Sequence, residues 1–190
     1  MLRNKEIQKL KIALTTDCVL NCRHCRIDKK AGMTVSAADA RRAVDMLMES
    51  DGTEKRLEIY GGEPLLKFGL LKKTVDYAAS ASVRCGKKLS LSVATNGLLA
   101  DAEKLEFLKS RRVNLSVSVS GSGASHDACR VYPDGRGSFS TLKEKIRLIL
   151  SVMSPLDVVA LQCAAPSGAA SLSEDLAALA GMAGGRARHT

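Results

Sequence analysis

The sequence predicts an α/β fold, a partial and open parallel β/α barrel of about five strand–helix units. Short apolar runs typical of strands alternate with amphipathic segments typical of helices, as in a parallel sheet with right-handed crossovers. The chain has 190 residues. A complete eight-unit barrel takes about 250 residues, so the predicted barrel is incomplete. The third observation is that the fourth predicted strand has one apolar and one polar face.

The predicted strands are short, and the second and third end at Gly61-Gly62 and Asn96-Gly97. They span residues 12–15, 57–60, 89–94, 113–119 and 156–163. The fourth alternates between valine or leucine and asparagine or serine, so that one face is apolar and the other small and polar. Such a face suits the concave side of an open sheet that lines a wet cleft. The alternative is an edge strand that shows its polar face to solvent.

The predicted helices follow the strands. Ser36 and Asp39 form a capping-box pattern, and the following apolar residues have the spacing of a helix packed on a sheet. Further helices are predicted over residues 68–79, 101–112 and 139–150, the last one after a glycine-rich loop, and a final helix begins at Ser171. We interpret residues 1–163 as the partial-barrel core and residues 164–190 as an Ala/Gly-rich last helix with a frayed tail.

The composition argues against several classes of function. The formal net charge is +9, but the basic residues form scattered pairs, and three Phe, three Tyr and no Trp offer little capacity for stacking on bases. No run of about 18 apolar residues is present, and the N-terminal segment has no apolar signal region. We therefore expect a cytoplasmic protein that binds neither nucleic acid nor a membrane.

Three of the six cysteines are crowded into one loop directly after the first predicted strand. Thiolates at the spacing of Cys18, Cys22 and Cys25 can converge on one soft metal centre. Three ligands would leave one iron of a cubane cluster open to another molecule. The alternative is a zinc site with His24 as the fourth ligand, although structural zinc sites usually use a second Cys-x-x-Cys pair, which this chain lacks.

Four motifs resemble those of the radical S-adenosylmethionine (SAM) enzymes, and they occur in the same order. The first is the Cys-x3-Cys-x2-Cys loop, and the second is Gly61-Gly62-Glu63-Pro64. The third is Thr95-Asn96-Gly97. The fourth joins His126-Asp127-x-x-Arg130 to Gly135-x-Gly137-Ser138-Phe139. Each motif lies at the tip of a predicted strand or just beyond one.

The resemblance implies a 4Fe–4S cluster and SAM as cofactors, and an external electron donor of the flavodoxin or ferredoxin kind. The implied chemistry is reductive cleavage of SAM to a 5′-deoxyadenosyl radical. The family's cluster ligands fall on Cys18, Cys22 and Cys25, and its contacts to the amino group of SAM fall on Gly61, Gly62 and Glu63. Contacts to the ribose and carboxylate fall on Ser118 and Arg130. For Arg130 the alternative is a surface cation.

The fourth motif is similar to that of the sulfatase and peptide maturases, which implies a peptide or protein substrate. The chain departs from that branch in having Ser120-Gly121 where many relatives have an acidic residue before the glycine. It also lacks a readable sixth unit and a Cys-rich C-terminal extension, so a partner subunit could cover the open barrel. We expect Cys85, Cys129 and Cys163 to be small buried apolar residues, with Cys129 alone worth testing for a role.

Three alternative functions remain open at this point. One is a truncated, non-catalytic protein that binds a cluster and SAM without turnover. Another is an enzyme similar to the glycyl-radical activases, which share the cysteine and Gly-Gly-Glu-Pro motifs but not the fourth motif. The last is a zinc-binding module.

Overall fold

The computed structural model of the chain describes residues 6–29 and 32–161. Five parallel strands form one sheet in the order β1-β2-β3-β4-β5. The strands are β1 (Lys9–Ala13), β2 (Glu54–Tyr60), β3 (Lys88–Thr95), β4 (Val113–Ser118) and β5 (Val158–Leu161). The helices are α1 (Ala37–Glu49), α2 (Phe68–Arg84), α3 (Ala102–Ser110), α4 (Gly123–Cys129) and α5 (Phe139–Val152). Short 3-10 turns cover Pro64–Lys67 and Pro155–Asp157. The predicted open parallel α/β fold is confirmed.

The helix α4 was not predicted, because residues 121–138 were expected to form a glycine-rich loop. It has only seven residues and no apolar periodicity, and a helix this short is not stable by propensity alone. Contacts from α5 hold it instead: the ring of Phe139 packs against that of His126, with 5.5 Å between the centroids. The final helix predicted from Ser171 and the last residues of the fifth predicted strand lie outside the described residues.

The core lies between the sheet and the helices. Because consecutive strands are neighbours and the crossovers are right-handed, the helices lie on one face of the sheet. Every second strand residue points to that side, as Leu57, Val93 and Leu115 do, and these are at most 1% exposed. In α1, Ser36 caps the first turn through Asp39 N, and the predicted apolar stripe is buried.

The opposite face of the sheet carries polar side chains in register. Lys11 lies beside Glu58, Glu58 beside Ser92, and Ser92 beside Asn114. Since β4 pairs with both β3 and β5, the alternative interpretation of the fourth strand as an edge strand is wrong. Its half-buried polar side chains belong to the interior of an open sheet. In the described part of the chain, no helix is long and apolar enough to cross a membrane.

Lys55 is an unusual member of the core, since it lies on the helix-covered face of β2 and is only 1% exposed. Its ammonium group donates to Ile7 O at 2.9 Å, to Ser50 Oγ at 2.8 Å and to the carbonyl of Asp51. Ser50 is the C-cap of α1. The lysine thus neutralises carbonyl groups where the helix ends, which is where a cation complements the helix dipole.

We expect Lys55→Met to lower the free energy of unfolding by about 2–3 kcal/mol, because its acceptors would lose their donor while remaining buried. Urea unfolding followed by circular dichroism measures the change. Lys88→Met is the matched control: Lys88 begins β3 and is exposed, so its replacement should leave the stability within about 0.5 kcal/mol. Equal effects of the two substitutions would contradict this account of Lys55.

Candidate metal and ligand site at the carboxyl ends of the strands

The predicted motifs meet at one edge of the sheet, where the parallel strands end. The cysteine loop follows β1, Gly61 follows β2, Asn96 follows β3 and Ser120 lies two residues past β4. In parallel α/β sheets, ligand sites lie at this carboxyl edge. Hydrogen bonds connect the segments directly: Glu63 N donates to Asp17 O at 2.8 Å, and Asn96 Nδ2 donates to Cys18 Sγ at 3.7 Å.

The cysteine loop is held from several sides. Leu20 is buried and anchors the loop in the core. Asn21 N donates to Val131 O at 2.7 Å, and Arg23 N donates to Cys129 O at 2.8 Å, so the segment after α4 forms one wall of the loop. Cys18 and Cys22 are half-buried and Cys25 is exposed. The three thiols therefore lie on a fixed backbone that opens toward solvent at Cys25.

The surroundings of the thiols both raise and lower their pKa values. Burial raises the pKa of both Cys18 and Cys22. Opposing this, the backbone N–H of Leu20 donates to Cys18 Sγ at 3.4 Å, and the positive charge of Arg130 lowers the pKa of Cys22. Cys18 and Cys25 lie close enough to Cys22 to raise its pKa through their own charge. Hydrogen bonds and nearby cations are what an anionic thiolate-ligated centre requires.

Within residues 6–29 and 32–161, no three His, Cys, Asp or Glu side chains are grouped so as to hold a single metal ion. Ligation by Cys18, Cys22 and Cys25 therefore stays a prediction from their spacing. His24, the alternative zinc ligand, is exposed. Burial of its ring and the nearby charges of Arg130 and Lys29 lower its pKa.

The two glycines after β2 are required by the cysteine loop. Gly61 has φ +138°, and a Cβ on it would overlap the carbonyl oxygen of Thr15. A Cβ on Gly62 would overlap the carbonyl oxygen of Asp17. The family resemblance implies that these glycines contact SAM, whereas the close approach in the structure is to the backbone that leads into Cys18. Contact of Gly61 and Gly62 with the amino group of SAM stays a prediction.

We expect Gly61→Ala to displace the start of the cysteine loop, because the new methyl group meets backbone atoms and the φ angle disfavours any L side chain. The free energy of unfolding should fall by about 2–4 kcal/mol. Gly86→Ala is the matched control, since Gly86 also has a positive φ (63°) but nothing within 4 Å of its added Cβ. The difference between the two variants in urea unfolding measures the clash together with the greater backbone strain at φ +138°, and no difference would contradict this account of Gly61.

Glu63 is fully buried and its carboxylate is surrounded by donors. One oxygen accepts from Leu65 N at 3.0 Å and from Thr95 Oγ1 at 2.7 Å, and the other accepts from Asn96 N at 2.8 Å. Burial raises the pKa of Glu63, and these three donors oppose that effect. The family resemblance implies that this side chain helps to hold the amino group of SAM. The structure instead places it as a bridge between the ends of β2 and β3, and its contact with SAM stays a prediction.

The Thr95-Asn96-Gly97 turn is shaped by its own side chains. Thr95 Oγ1 accepts from Gly97 N at 3.0 Å while donating to Glu63, and Asn96 Oδ1 accepts from Leu98 N at 3.0 Å. The amide of Asn96 then donates to Cys18, as described above. Sequence reasoning singled out this turn but did not find that Asn96 connects it to the cysteine loop, because the two lie 78 residues apart in the chain.

Ser118 and Arg130 were predicted to contact SAM. Ser118 ends β4 with a half-buried side chain on the polar face. Arg130 is 7% exposed, so the alternative interpretation as a surface cation is wrong. Its Nε donates to Ser120 Oγ at 2.8 Å. Its charge reaches Cys22 and His24, because it lowers the pKa of both.

The two halves of the fourth motif form one unit. Asp127 accepts from Phe139 N at 2.8 Å and so caps α5, and a Cβ on Gly137 would overlap the carboxylate of Asp127. His126 is 1% exposed and lies between Ser120 N, which donates to its Nδ1 at 3.3 Å, and Ser138 Oγ, which is 3.0 Å from its Nε2. His126 is part of the fourth motif in the sequence, but its contacts become visible only in the structure.

We expect the protein to lose stability as the pH falls through the range that protonates His126 in the unfolded chain. Burial and the charge of Arg130 lower the pKa of His126 from 6.5 to about 4, opposed by Asp127, with a further small lowering from His24. At a pH between 6.5 and about 4, His126 is protonated in the unfolded chain but neutral in the folded chain. Stability present at pH 7 is therefore lost progressively between pH 6.5 and about 4. The loss should amount to about 2 kcal/mol.

Urea unfolding at pH 7 and pH 5 tests this expectation, with His126→Gln as the comparison. The variant should be less stable at pH 7 but should show a shallower pH dependence than the native chain. An unchanged slope would show that other groups cause the pH dependence.

The two remaining cysteines that the structure describes are not fully buried, unlike the small buried side chains that the sequence predicts. Cys85 is exposed at the C-cap of α2, so that prediction is wrong there, because the helix ends at the surface. Cys129 is half-buried at the end of α4, and its Sγ lies 3.5 Å from the carbonyl oxygens of Ser125 and His126. Cys163 lies outside the described residues.

Comparison with known proteins agrees with this arrangement. A sequence profile of the Radical SAM superfamily matches residues 12–160. An uncharacterized protein of Methanocaldococcus jannaschii is 30% identical over 138 residues, which make up 72% of this chain and 47% of that protein. The antilisterial bacteriocin subtilosin biosynthesis protein AlbA of Bacillus subtilis is 30% identical over 138 residues, 72% of this chain and 29% of AlbA. The chain thus spans less than half the length of both relatives.

Solved structures show the same fold. The structure of anSMEcpe with bound AdoMet has a TM-score of 0.77 at 17% identity, over 90% of this chain and 48% of that one. The structure of anSMEcpe with bound AdoMet and the Cp18Cys peptide also has a TM-score of 0.77, at 19% identity, over 90% of this chain and 46% of that one.

Proposed function

We propose that this chain, which belongs to the radical SAM superfamily, holds a 4Fe–4S cluster on Cys18, Cys22 and Cys25 and cleaves SAM there to modify a peptide or protein. The observation that carries the proposal is the convergence of the cysteine loop with the ends of β2, β3 and β4 at one edge of the sheet. At such an edge, a cluster, the SAM bound to it and a substrate can lie within reach of one another.

The residues present fit these groups. When bound, the cluster and SAM supply a one-electron cleavage that yields a 5′-deoxyadenosyl radical, which removes a hydrogen atom from the substrate. The chain contributes three thiols on a loop that Leu20 anchors in the core, with N–H donors from Leu20 and Asn96 directed at Cys18. Hydrogen bonds of this kind stabilise the anionic sulfur ligands of a cluster.

The other predicted contacts have separate tasks in this proposal. Gly61 and Gly62 bring the backbone that follows β2 against the cysteine loop, so that peptide carbonyl groups can take the amino group of SAM. Arg130 binds the carboxylate of SAM, for which a guanidinium is suited because it can form two parallel hydrogen bonds. Ser118 faces the polar interior of the sheet, where the ribose would lie.

A peptide or protein as substrate is supported by two similar proteins. AlbA is named for the biosynthesis of the bacteriocin subtilosin, and anSMEcpe has been solved with the Cp18Cys peptide bound. The polar face of the sheet, with Ser92 beside Asn114 and Ser116 on β4, offers small hydrogen-bonding groups to an extended chain. An electron donor of the flavodoxin or ferredoxin kind would supply the electron.

The test is anaerobic reconstitution of the full chain with iron and sulfide, followed by SAM and dithionite. We expect a brown protein that forms 5′-deoxyadenosine, measured by liquid chromatography with mass spectrometry. A mixed peptide library containing serine and cysteine should raise the rate and yield peptides of altered mass. A clustered, folded protein that binds SAM but forms no 5′-deoxyadenosine would show the non-catalytic alternative. Formation of 5′-deoxyadenosine without any altered peptide would overturn the peptide substrate alone.

A further inference from the structure

Four residues around α4 form a closed ring of hydrogen bonds through side-chain and backbone atoms. His126 Nδ1 accepts from Ser120 N at 3.3 Å, and His126 Nε2 lies 3.0 Å from Ser138 Oγ. Ser138 Oγ donates to Arg130 O at 2.8 Å, and Arg130 Nε donates to Ser120 Oγ at 2.8 Å. All four residues are at most 7% exposed. The ring therefore lies inside the molecule and includes the buried side chain of Arg130.

The ring permits only one form of the imidazole. Since the hydroxyl of Ser138 uses its proton on Arg130 O, it must accept from Nε2, which therefore carries a hydrogen. Nδ1 accepts from Ser120 N and so must be unprotonated. Neutral His126 with the proton on Nε2 satisfies both neighbours, whereas a protonated ring would set a donor against the N–H of Ser120.

This arrangement restrains Arg130 at two places. Ser138 holds its backbone carbonyl, and Ser120, whose own N–H is held by His126, accepts from its Nε. The positive charge of Arg130 acts on the cysteine loop, where it lowers the pKa of the Cys22 thiol. A side chain as long as arginine loses about 2 kcal/mol of conformational freedom when it is fixed. An arginine that is already fixed in the free protein loses less conformational entropy when a ligand binds.

We propose that His126 is a positioning residue, which through Ser120 and Ser138 holds the guanidinium of Arg130 ready to bind the carboxylate of SAM. The inference rests on the proposed function, in which Arg130 makes that contact. His126 itself touches neither cofactor. The ring also accounts for the fourth sequence motif, because His126, Arg130 and Ser138 are three of its members and Ser120 is supplied by the end of β4.

The experiment compares SAM with decarboxylated SAM, which keeps the amino group and the nucleoside but lacks the carboxylate. Affinities are measured by anaerobic equilibrium dialysis on the reconstituted full chain, and iron content is measured in each variant. For His126→Phe we expect SAM to bind about tenfold more weakly, with less than about twofold change for decarboxylated SAM. A structural role alone would weaken both ligands equally and would overturn the inference.

Two further variants keep the test decisive if His126→Phe fails to fold. Ser138→Ala removes a single hydroxyl from the ring and should show the same preference for decarboxylated SAM, to a smaller degree. Ser140→Ala is the matched control, because Ser140 is exposed two residues further along α5 and should bind both ligands as the native chain does. A loss of SAM affinity in Ser140→Ala equal to that in Ser138→Ala would overturn the inference.

Arg130→Lys separates the inference from the proposed function. If it weakens SAM but not decarboxylated SAM, the contact between Arg130 and the carboxylate is supported, and equal behaviour of the two ligands in His126→Phe and Ser138→Ala then refutes the inference alone. If Arg130→Lys affects both ligands equally, the assigned role of Arg130 fails, and the inference fails with it.

Discussion

Cys22→Ser is expected to prevent cluster assembly and to reduce 5′-deoxyadenosine formation to the level of the chain without iron. Cys22 lies in the middle of the three-thiol loop, and both other thiols act on it electrostatically. A serine hydroxyl is a poor ligand for iron, and two remaining thiols hold a cluster far less tightly than three. Bound iron, absorbance near 400 nm and 5′-deoxyadenosine are measured on the same anaerobic samples.

The control is Cys85→Ser, which removes an exposed thiol at the end of α2. We expect iron content and 5′-deoxyadenosine to match those of the native chain, since α2 ends at the opposite edge of the sheet from the cysteine loop. If Cys22→Ser retained full iron content, Cys22 would not be a ligand. If both variants bound one zinc ion as well as the native chain does, the zinc-module alternative would also fail at this loop.

The second large effect is expected at Glu63. Glu63→Ala leaves Leu65 N, Asn96 N and the Thr95 hydroxyl without an acceptor in a fully buried position. The free energy of unfolding should fall by about 2–4 kcal/mol. Glu63→Gln should also be destabilised, by about 1–2 kcal/mol, because its amide nitrogen must face one of these donors. Urea unfolding of the chain without iron measures both changes independently of any cofactor.

The two expectations for Glu63 predict different results. If the carboxylate also holds the amino group of SAM, as the family resemblance implies, Glu63→Gln will weaken SAM binding by more than its loss of stability accounts for. If it joins the ends of β2 and β3, unfolding changes first and SAM binding follows from it. Glu103→Gln is the control, since Glu103 is exposed on α3 and should affect neither measurement.

Much of the fold could be predicted because its signals are local. Ser36 and Asp39 lie three residues apart and cap α1 as predicted, and the alternation in β4 needs only neighbouring residues. Boundaries were less accurate: β2 begins at Glu54 rather than at residue 57. The start of β2 could not be recognised in the sequence because Lys55 and Arg56 are charged. Lys55 points into the core only because acceptors on other segments bind its ammonium group.

The candidate site divides in the same way. The spacing of Cys18, Cys22 and Cys25 is visible because the three thiols belong to one loop. The surroundings of Glu63 were not, since two of its three donors come from the turn after β3, more than 30 residues away. Likewise the sequence leaves Arg130 open between a contact with SAM and a surface cation, and only the folded structure shows that it is buried and donates to Ser120.

The alternation of strands and helices, the family resemblance and the thiols that could hold a cluster are all visible in the order of the residues. They depend on residue type and on spacings within one turn, one strand or one loop. What Gly61 approaches, which donors satisfy Glu63 and how His126 connects to Arg130 are visible only in the folded chain. A backbone contact or a buried hydrogen bond joins separate segments, so its partners are set by the packing of the sheet and not by neighbours in the chain.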